Sequence, residues 1–189
     1  GAGKTVFALQ SLVNAAPQRQ EPGIFVAFEE STRQIVANAA GFDWGLSDLA
    51  RNKIFFLDAK LSPEIVQSGE FDLSGTLAML KAKKEEIGAR WIVFDGIDVL
   101  LTLLANPASE MREIYRIRDW LADSDFNAAI ITAKVDGDGS EIVNYGFLQF
   151  MVDCVIRFER RLEYGIALHR IQITKYRGSD FAAGEYPVS

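Results

Sequence analysis

Short apolar runs alternate along this chain with stretches in which apolar residues recur every three or four positions. The short runs are typical of strands buried on both faces, and the spaced positions are typical of amphipathic helices. The predicted strands are residues 23–28, 54–57, 91–94, 129–131, 154–158 and 168–174. This alternation predicts the α/β class, with a mostly parallel sheet flanked by helices. A turn at residues 163–165 predicts that the last two strands form an antiparallel C-terminal edge.

Helix ends are predicted from proline and from capping side chains. The first helix, residues 6–15, should end before Pro17, which has no N–H to donate within a helix. Ser31 should cap the next helix, with Gln34 completing a capping box, and Ser109 should cap a later helix. The apolar positions expected to face the core are Ile35, Val36, Ala39, Leu73, Leu77, Leu80, Ile87, Ile114, Ile117 and Leu121.

Composition indicates a globular protein with one domain, residues 1–189. Hydrophobic residues make up 49% of the chain and charged residues 24%, which is ordinary for a folded domain. The formal net charge of −6 argues against a protein whose main task is to grip a nucleic-acid backbone. Cys154 and His169 are the single cysteine and histidine, so one chain cannot build a disulfide framework or a Cys/His zinc site. The cytosol is therefore the expected compartment, and no apolar run approaches the roughly 18 residues of a membrane span.

The first residues resemble the second half of a phosphate-binding loop, G-x-x-x-x-G-K-[ST]. In such a loop the glycines let backbone N–H groups face a phosphate, the lysine reaches the β- and γ-phosphates, and the hydroxyl holds Mg²⁺. A bare G-K-T also occurs by chance. Because the first half of the loop and the strand before it are missing, we expect this sequence to be a fragment. The predicted loop residues are Gly1, Ala2, Gly3, Lys4, Thr5 and Val6.

Acidic residues follow two of the predicted strands, at the edge where α/β sheets bind ligands. Glu29 and Glu30 come after the strand at residues 23–28 and could orient or deprotonate a water for attack on a γ-phosphate. The alternative is two solvated acids at the start of a helix. Asp95 ends the strand at residues 91–94 and could hold Mg²⁺ with Thr5, although many buried strands end in aspartate.

Two further segments carry candidate chemistry. Lys175 and Arg177, with Tyr176 and Ser179 beside them, follow the last predicted strand and could clamp phosphate oxygens. The alternative is a solvated basic strand end. The acidic stretch at residues 136–140 resembles the start of a calcium loop, but the closing glutamate is absent, which argues against a metal role.

These motifs together resemble the KaiC family of circadian clock ATPases, which belongs to the RecA-like P-loop NTPases. The resemblance rests on G-A-G-K-T at residues 1–5, E-P-G followed by an apolar run and E-E at 21–30, I-V-F-D at 92–95, K-Y-R-G-S at 175–179 and G-E-Y-P at 184–187. It covers almost the whole chain with the order intact. Two positions depart from the family: Phe181 stands where a histidine is expected, and Gly41 cannot contact nucleotide through a side chain.

The resemblance implies a RecA-like domain in a ring, usually a hexamer, with ATP and Mg²⁺ held between subunits. Glu29 and Glu30 match the family's catalytic glutamates, and residues 1–6 match its ATP-binding loop. Lys175, Tyr176, Arg177 and Ser179 match a segment that reaches ATP from the neighbouring subunit. The family also has an autokinase domain, but residues 147–151 here lack its adjacent Ser-Thr acceptors, so the ATPase half is the closer match.

The expected function is slow ATP hydrolysis by an oligomer that acts as a switch or timer, with regulatory protein partners. One alternative is a DNA-acting RecA relative, such as a recombinase or helicase module. The net charge and the absence of a basic, aromatic-interleaved loop count against it. The other alternative is a scaffold that binds ATP to assemble and barely hydrolyses it, which the paired glutamates count against.

Overall fold

The computed structural model describes residues 3–19, 21–46, 48–49, 53–60, 73–104, 106–134, 146–163, 166–182 and 184–188. A short 3₁₀ turn at Ala40–Phe42 extends the second helix. The helices are α1 (Lys4–Arg19), α2 (Thr32–Ala39), α3 (Leu73–Ile87), α4 (Ile97–Thr102), α5 (Pro107–Ala122) and α6 (Gly146–Met151). The strands are β1 (Gly23–Ala27), β2 (Ile54–Asp58), β3 (Trp91–Asp95), β4 (Ala128–Ile131), β5 (Cys154–Glu163), β6 (Ile166–Tyr176) and β7 (Glu185–Val188).

The described chain divides into two compact units. The parallel-sheet unit, Thr5–Lys134, contains β1 to β4 with the helices between them. The antiparallel unit contains α6 and β5 to β7.

A parallel sheet with the strand order β2-β1-β3-β4 is the centre of the first unit. Every residue of β1 is buried, which explains why this strand is apolar throughout rather than alternating. In the sheet register Ala27 lies opposite both Asp58 and Asp95, so the carboxyl ends of these three strands are level. The α/β class and the parallel sheet predicted from the sequence are confirmed.

Helix α1 runs two residues beyond Pro17, so the predicted stop is wrong. A proline at this point removes only the hydrogen bond that its N–H would have donated to the carbonyl of Val13. The helix instead keeps its packing, because Leu9, Leu12 and Ala16 on its inner face are almost completely buried. Burial of this face outweighs one lost hydrogen bond near the end of the helix.

The Ser31 cap predicted for α2 is confirmed, whereas the capping box with Gln34 and the Ser109 cap predicted for the later helix are wrong. The Ser31 hydroxyl accepts a hydrogen bond from the Gln34 N–H at 3.3 Å, but the Gln34 side chain donates to Asn38 and does not close the box. Helix α5 begins earlier than predicted, because Asn106 is its cap and accepts from the Ser109 N–H at 3.0 Å. Pro107 then takes the first helical position, where no N–H is needed.

The inner faces predicted for the helices are largely confirmed. The predicted positions that are buried are Ile35, Ala39, Leu73, Leu77, Leu80, Ile114 and Ile117. Val36, Ile87 and Leu121 are only half-buried.

The antiparallel unit confirms the predicted pairing of the last two strands and adds a third. Strand β5 pairs with β6, and β6 pairs with β7, in a sheet of their own with the order β5-β6-β7. Both predicted strands are longer than expected, reaching Glu163 and Tyr176. The middle and last residues of the predicted turn lie outside the described residues. Strand β7 was not predicted, because its four residues contain a proline and no apolar run.

Candidate functional site

The loops that follow β1, β3 and β4 meet at the carboxyl edge of the parallel sheet. The Phe28 N–H, just beyond β1, donates to the Asp95 carbonyl at 3.0 Å. The Thr132 N–H, just beyond β4, donates to the Phe94 carbonyl at 2.9 Å. Strand pairing therefore continues one residue past the strands and brings the predicted acidic residues to the same edge as Thr132.

Asp95 lies at the centre of this edge and contacts two hydroxyl groups. The Thr5 hydroxyl donates to the Asp95 carboxylate, 3.0 Å from Oδ2 and 3.2 Å from Oδ1. The Thr132 hydroxyl donates to Oδ1 at 2.7 Å. Asp95 is 4% exposed, so these bonds lie in a largely water-excluded place. The first turn of α1 and the end of β3 are thus joined through the two side chains predicted to hold Mg²⁺.

The electrostatics of this edge disfavour negative charge on Asp95. Burial raises the pKa of Asp95 above its ordinary value, and the negative charges of Glu29 and Glu30 raise it further. The hydrogen bonds from Thr132 and Thr5 lower it in part. A divalent cation at this point would offset both the burial and the neighbouring carboxylates.

The oxygen donors of this edge fit Mg²⁺. This cation prefers hydroxyl and carboxylate oxygens, takes one or two carboxylates from the protein, and completes its shell with phosphate oxygens and water. The Thr5 hydroxyl and the Asp95 carboxylate supply such a set. Within the described ranges no cluster of three or more His, Cys, Asp or Glu side chains could hold a metal by itself. The acidic stretch at residues 136–140 lies outside those ranges.

Gly96 lies next to both the Thr132 hydroxyl, which bonds to Asp95, and the Glu29 side chain. Its N–H donates to the Thr132 hydroxyl at 2.9 Å, and its φ of +76° is one that side chains rarely adopt. A Cβ at this position would lie 3.1 Å from the Glu29 Cβ. Glycine is therefore favoured both by the backbone conformation and by the close approach of Glu29.

Glu29 and Glu30 lie in the exposed turn between β1 and α2. The turn is held on its far side by Asp58, whose Oδ1 accepts from the Thr32 N–H at 2.6 Å. The Glu29 carboxylate forms an ion pair with the ammonium group of Lys134. Both glutamates therefore reach solvent from a turn whose backbone is fixed by the neighbouring strands.

The phosphate-loop residues are described from Gly3 onward, and Gly1 and Ala2 lie outside the described residues. Gly3 has a φ of +92°, the conformation that a glycine in such a loop allows. Lys4 is the first residue of α1, so the N-terminal end of this helix directly follows the loop. Val6 is exposed on the first turn.

The predicted clamp residues belong to the antiparallel unit and contact the end of α6. Lys175 Nζ donates to the Gln149 carbonyl, and Arg177 Nη2 donates to the Phe150 carbonyl at 3.0 Å. Arg177 Nη1 also lies 3.7 Å from Asp153 Oδ1. Cations are favourable at a helix C-terminus, where carbonyl groups lack partners. The remaining members, Tyr176 and Ser179, are exposed.

Sequence reasoning missed three residues of this edge: Gly96, Thr132 and Lys134. Thr132 and Lys134 follow the predicted strand at residues 129–131, so their position at the carboxyl edge could have been inferred. Their partners, Asp95 and Glu29, are not indicated by any local pattern. Asp98, three residues after Asp95, is buried, and its Oδ1 accepts from the Lys134 N–H at 3.0 Å.

A family model described as the KaiC ATPase matches residues 1–189. The chain belongs to the KaiC family of ATPases. The circadian clock protein KaiC2 of Synechocystis sp. is 34% identical over 189 residues, covering 99% of this chain and 33% of its own length. The circadian clock oscillator protein KaiC of Parathermosynechococcus lividus is also 34% identical, and that of Prochlorococcus marinus strain MIT 9313 is 35% identical. These two matches cover 99% of this chain and 35% and 38% of the relatives.

Membership of the KaiC family establishes a RecA-like fold and an ATP-hydrolysing role at the level of the family. The chain spans about one third of the length of the KaiC relatives it matches. Among the described helices, none is long and apolar enough to cross a membrane.

Proposed function

We propose that this chain binds ATP and hydrolyses it at the carboxyl edge of the parallel sheet. The observation that carries the proposal is the bond from the Thr5 hydroxyl to the Asp95 carboxylate. This bond joins Thr5, which follows the phosphate-loop lysine, to Asp95. Asp95 lies opposite Ala27, two residues before Glu29. Phosphate binding, cation binding and a carboxylate base are thereby available at one edge, which is what phosphoryl transfer to water requires.

In the proposed reaction Lys4 offsets the negative charge of the β- and γ-phosphates. Thr5 and Asp95 would hold Mg²⁺, which would neutralise charge at the phosphate oxygens when it is bound. Glu29 accepts a proton from the attacking water, whose oxygen forms a bond to the γ-phosphorus. The bond from that phosphorus to the bridging oxygen breaks, and ADP leaves with the electron pair. Glu30 assists Glu29 or partly substitutes for it.

Lys175 and Arg177, with Tyr176 and Ser179, are proposed to act on ATP held by a neighbouring subunit in a ring, with six subunits as the expected number. Lys175 and Arg177 now donate to exposed carbonyl groups at the end of α6, and Arg177 also lies 3.7 Å from Asp153 Oδ1. A phosphate would give both cations a multiply charged partner, and a guanidinium can bind phosphate oxygens with two parallel bonds. ATP binding would then favour assembly by mass action.

Slow turnover in such a ring would serve as a switch or timer with regulatory protein partners, in the cytosol. Gln149 and Phe150 of α6 carry no hydroxyl group that could accept a phosphoryl group. We therefore propose hydrolysis rather than autophosphorylation for this domain. Two measurements distinguish the alternatives. DNA would stimulate ATP hydrolysis by a DNA-acting RecA relative, and a scaffold would show no hydrolysis in a single-turnover assay.

The experiment is to replace both glutamates, Glu29→Gln and Glu30→Gln, in the full-length protein and to measure ATP binding and hydrolysis separately. Loss of a general base typically lowers the rate by ~10²–10⁴-fold, and ATP binding should remain. The control is Glu85→Gln with Glu86→Gln, a second adjacent glutamate pair, which lies on the exposed surface of α3. Parental hydrolysis by the Glu29/Glu30 double variant would contradict the proposed function.

A further inference from the structure

Lys134 lies at the carboxyl edge of the parallel sheet and pairs with Glu29, the proposed general base. Its ammonium group forms an ion pair with Glu29 Oε1. The Lys134 side chain is 54% exposed and that of Glu29 is 40% exposed. Ion pairs as exposed as this contribute little to folding stability, so stability alone does not account for the contact.

The backbone of Lys134 is fixed by buried groups. Its N–H donates to Asp98 Oδ1 at 3.0 Å, and Asp98 lies in the first turn of α4 with 9% exposure. Two residues earlier, Thr132 accepts through its carbonyl from the Ile97 N–H at 3.0 Å. The segment that carries the Lys134 side chain is therefore anchored to the start of α4 on both sides of residue 133.

Glu29 also lies close to the backbone of Gly96. The closest approach is at the Glu29 Cβ, 3.1 Å from where a Gly96 Cβ would stand, and Oε2 would be 3.7 Å away. The Glu29 side chain thus runs close to the Gly96 backbone, and its Oε1 is paired with Lys134. An ion pair on one oxygen leaves Oε2 able to accept a proton.

We propose that Lys134 is a positioning residue for Glu29, which holds one carboxylate oxygen so that the other faces the attacking water. This inference rests on the proposed function. A freely rotating glutamate samples many side-chain conformers, and misplacement of a reacting group by an ångström can lower a rate substantially. Lys134 acts through Glu29 and need not contact ATP.

The first test compares Lys134→Met and Lys134→Arg with the parental full-length protein. Lys134→Met keeps the length of the side chain and removes the charge, so kcat should fall roughly tenfold. The KM for ATP should stay within about twofold, because ground-state binding is not affected. Lys134→Arg should restore most of the rate, since a guanidinium can also hold the carboxylate. The control is Lys83→Met, which breaks another Lys–Glu pair, with Glu86 of α3 and away from the candidate site, and should leave kcat unchanged.

The second test combines Lys134→Met with Glu29→Gln. If Lys134 acts through Glu29, it should lower the residual rate of Glu29→Gln by less than about twofold. A further tenfold fall would show that Lys134 acts independently and would overturn the inference. An unchanged or higher kcat for Lys134→Met alone, or a raised KM with kcat unchanged, would also overturn it. Parental hydrolysis by Glu29→Gln would instead count against the assignment of Glu29 in the proposed function, so the two failures are distinguishable.

Discussion

Replacing Thr132 by valine should destabilise the parallel-sheet unit and weaken the Asp95 site. Valine has the shape of threonine but lacks the hydroxyl. In this structure that hydroxyl accepts from the Gly96 N–H at 2.9 Å and donates to Asp95 Oδ1 at 2.7 Å. Thr132 is 7% exposed, so water cannot readily replace either bond. The substitution therefore leaves one buried donor without a partner and removes a hydrogen bond from a buried carboxylate.

The two losses set the magnitude. A hydrogen bond to a charged group is worth roughly 1.5–3 kcal/mol, and an unsatisfied buried N–H costs roughly 1–3 kcal/mol. Because one hydroxyl serves both groups, the losses are not independent, and we expect a total of about 2–4 kcal/mol. That is a large part of the roughly 5–15 kcal/mol by which domains are stable. For a chain of this size it corresponds to a fall in Tm of roughly 5–15 °C.

Unfolding in urea, followed by tryptophan fluorescence, measures this change. All three tryptophans, Trp44, Trp91 and Trp120, lie in the parallel-sheet unit and report on it. Thr132→Ser is the control, because it keeps the hydroxyl and should cost only about 1 kcal/mol for the lost methyl group. Equal destabilisation by the serine and valine variants, or a loss below about 0.5 kcal/mol for valine, would refute the reasoning.

The same variant should change the dependence of stability on pH. Burial holds the pKa of Asp95 above its ordinary value in the folded protein. Between the ordinary and the raised value the folded state binds more protons than the unfolded state, so this group makes stability fall as pH rises. The Thr132 bond lowers the pKa of Asp95, and its loss raises that pKa further. The cost of Thr132→Val should therefore increase as pH rises through the range in which Asp95 loses its proton.

Two further predictions address the glutamate turn and the ring. Gly96→Ala should cost about 1–2 kcal/mol in urea unfolding and also lower kcat, because its φ is +76° and its Cβ would press on Glu29. The control is Gly88→Ala, because Gly88 has a φ of +67° and its added Cβ would meet no atom within 4 Å. It should lose similar stability but hydrolyse ATP normally. Equal hydrolysis rates for Gly96→Ala and Gly88→Ala would contradict this account. Lys4→Ala should abolish ATP binding and Arg177→Ala should abolish hydrolysis, but mixed rings of the two should regain part of the activity if Arg177 acts in trans. If verified mixed rings recover no ATP hydrolysis, Arg177 does not act on the neighbouring subunit's ATP.

Much of the candidate site follows from two regularities of sequence. Short apolar runs such as residues 23–28 are typical of strands buried on both faces, and in a parallel arrangement their carboxyl ends share an edge. The placement of Glu29, Glu30 and Asp95 at that edge needs nothing more. The prediction that β5 and β6 pair antiparallel is equally local, because only a few residues separate the two strands along the chain.

Periodicity and motifs report how a residue is placed relative to its own element, and they do not identify its distant partners. Helix α1 continues past Pro17 because its apolar face packs on the sheet, although local chemistry predicts a stop there. Thr132 is 37 residues from Asp95 along the chain and Lys134 is 105 residues from Glu29, so no local sequence pattern indicates either pair. The sequence by itself determined the fold class and the sheet edge at which the candidate site lies, since both depend on burial patterns and chain order. Only the tertiary structure decided which hydroxyl and which cation hold the two carboxylates, because those bonds depend on how strands far apart in the chain come together.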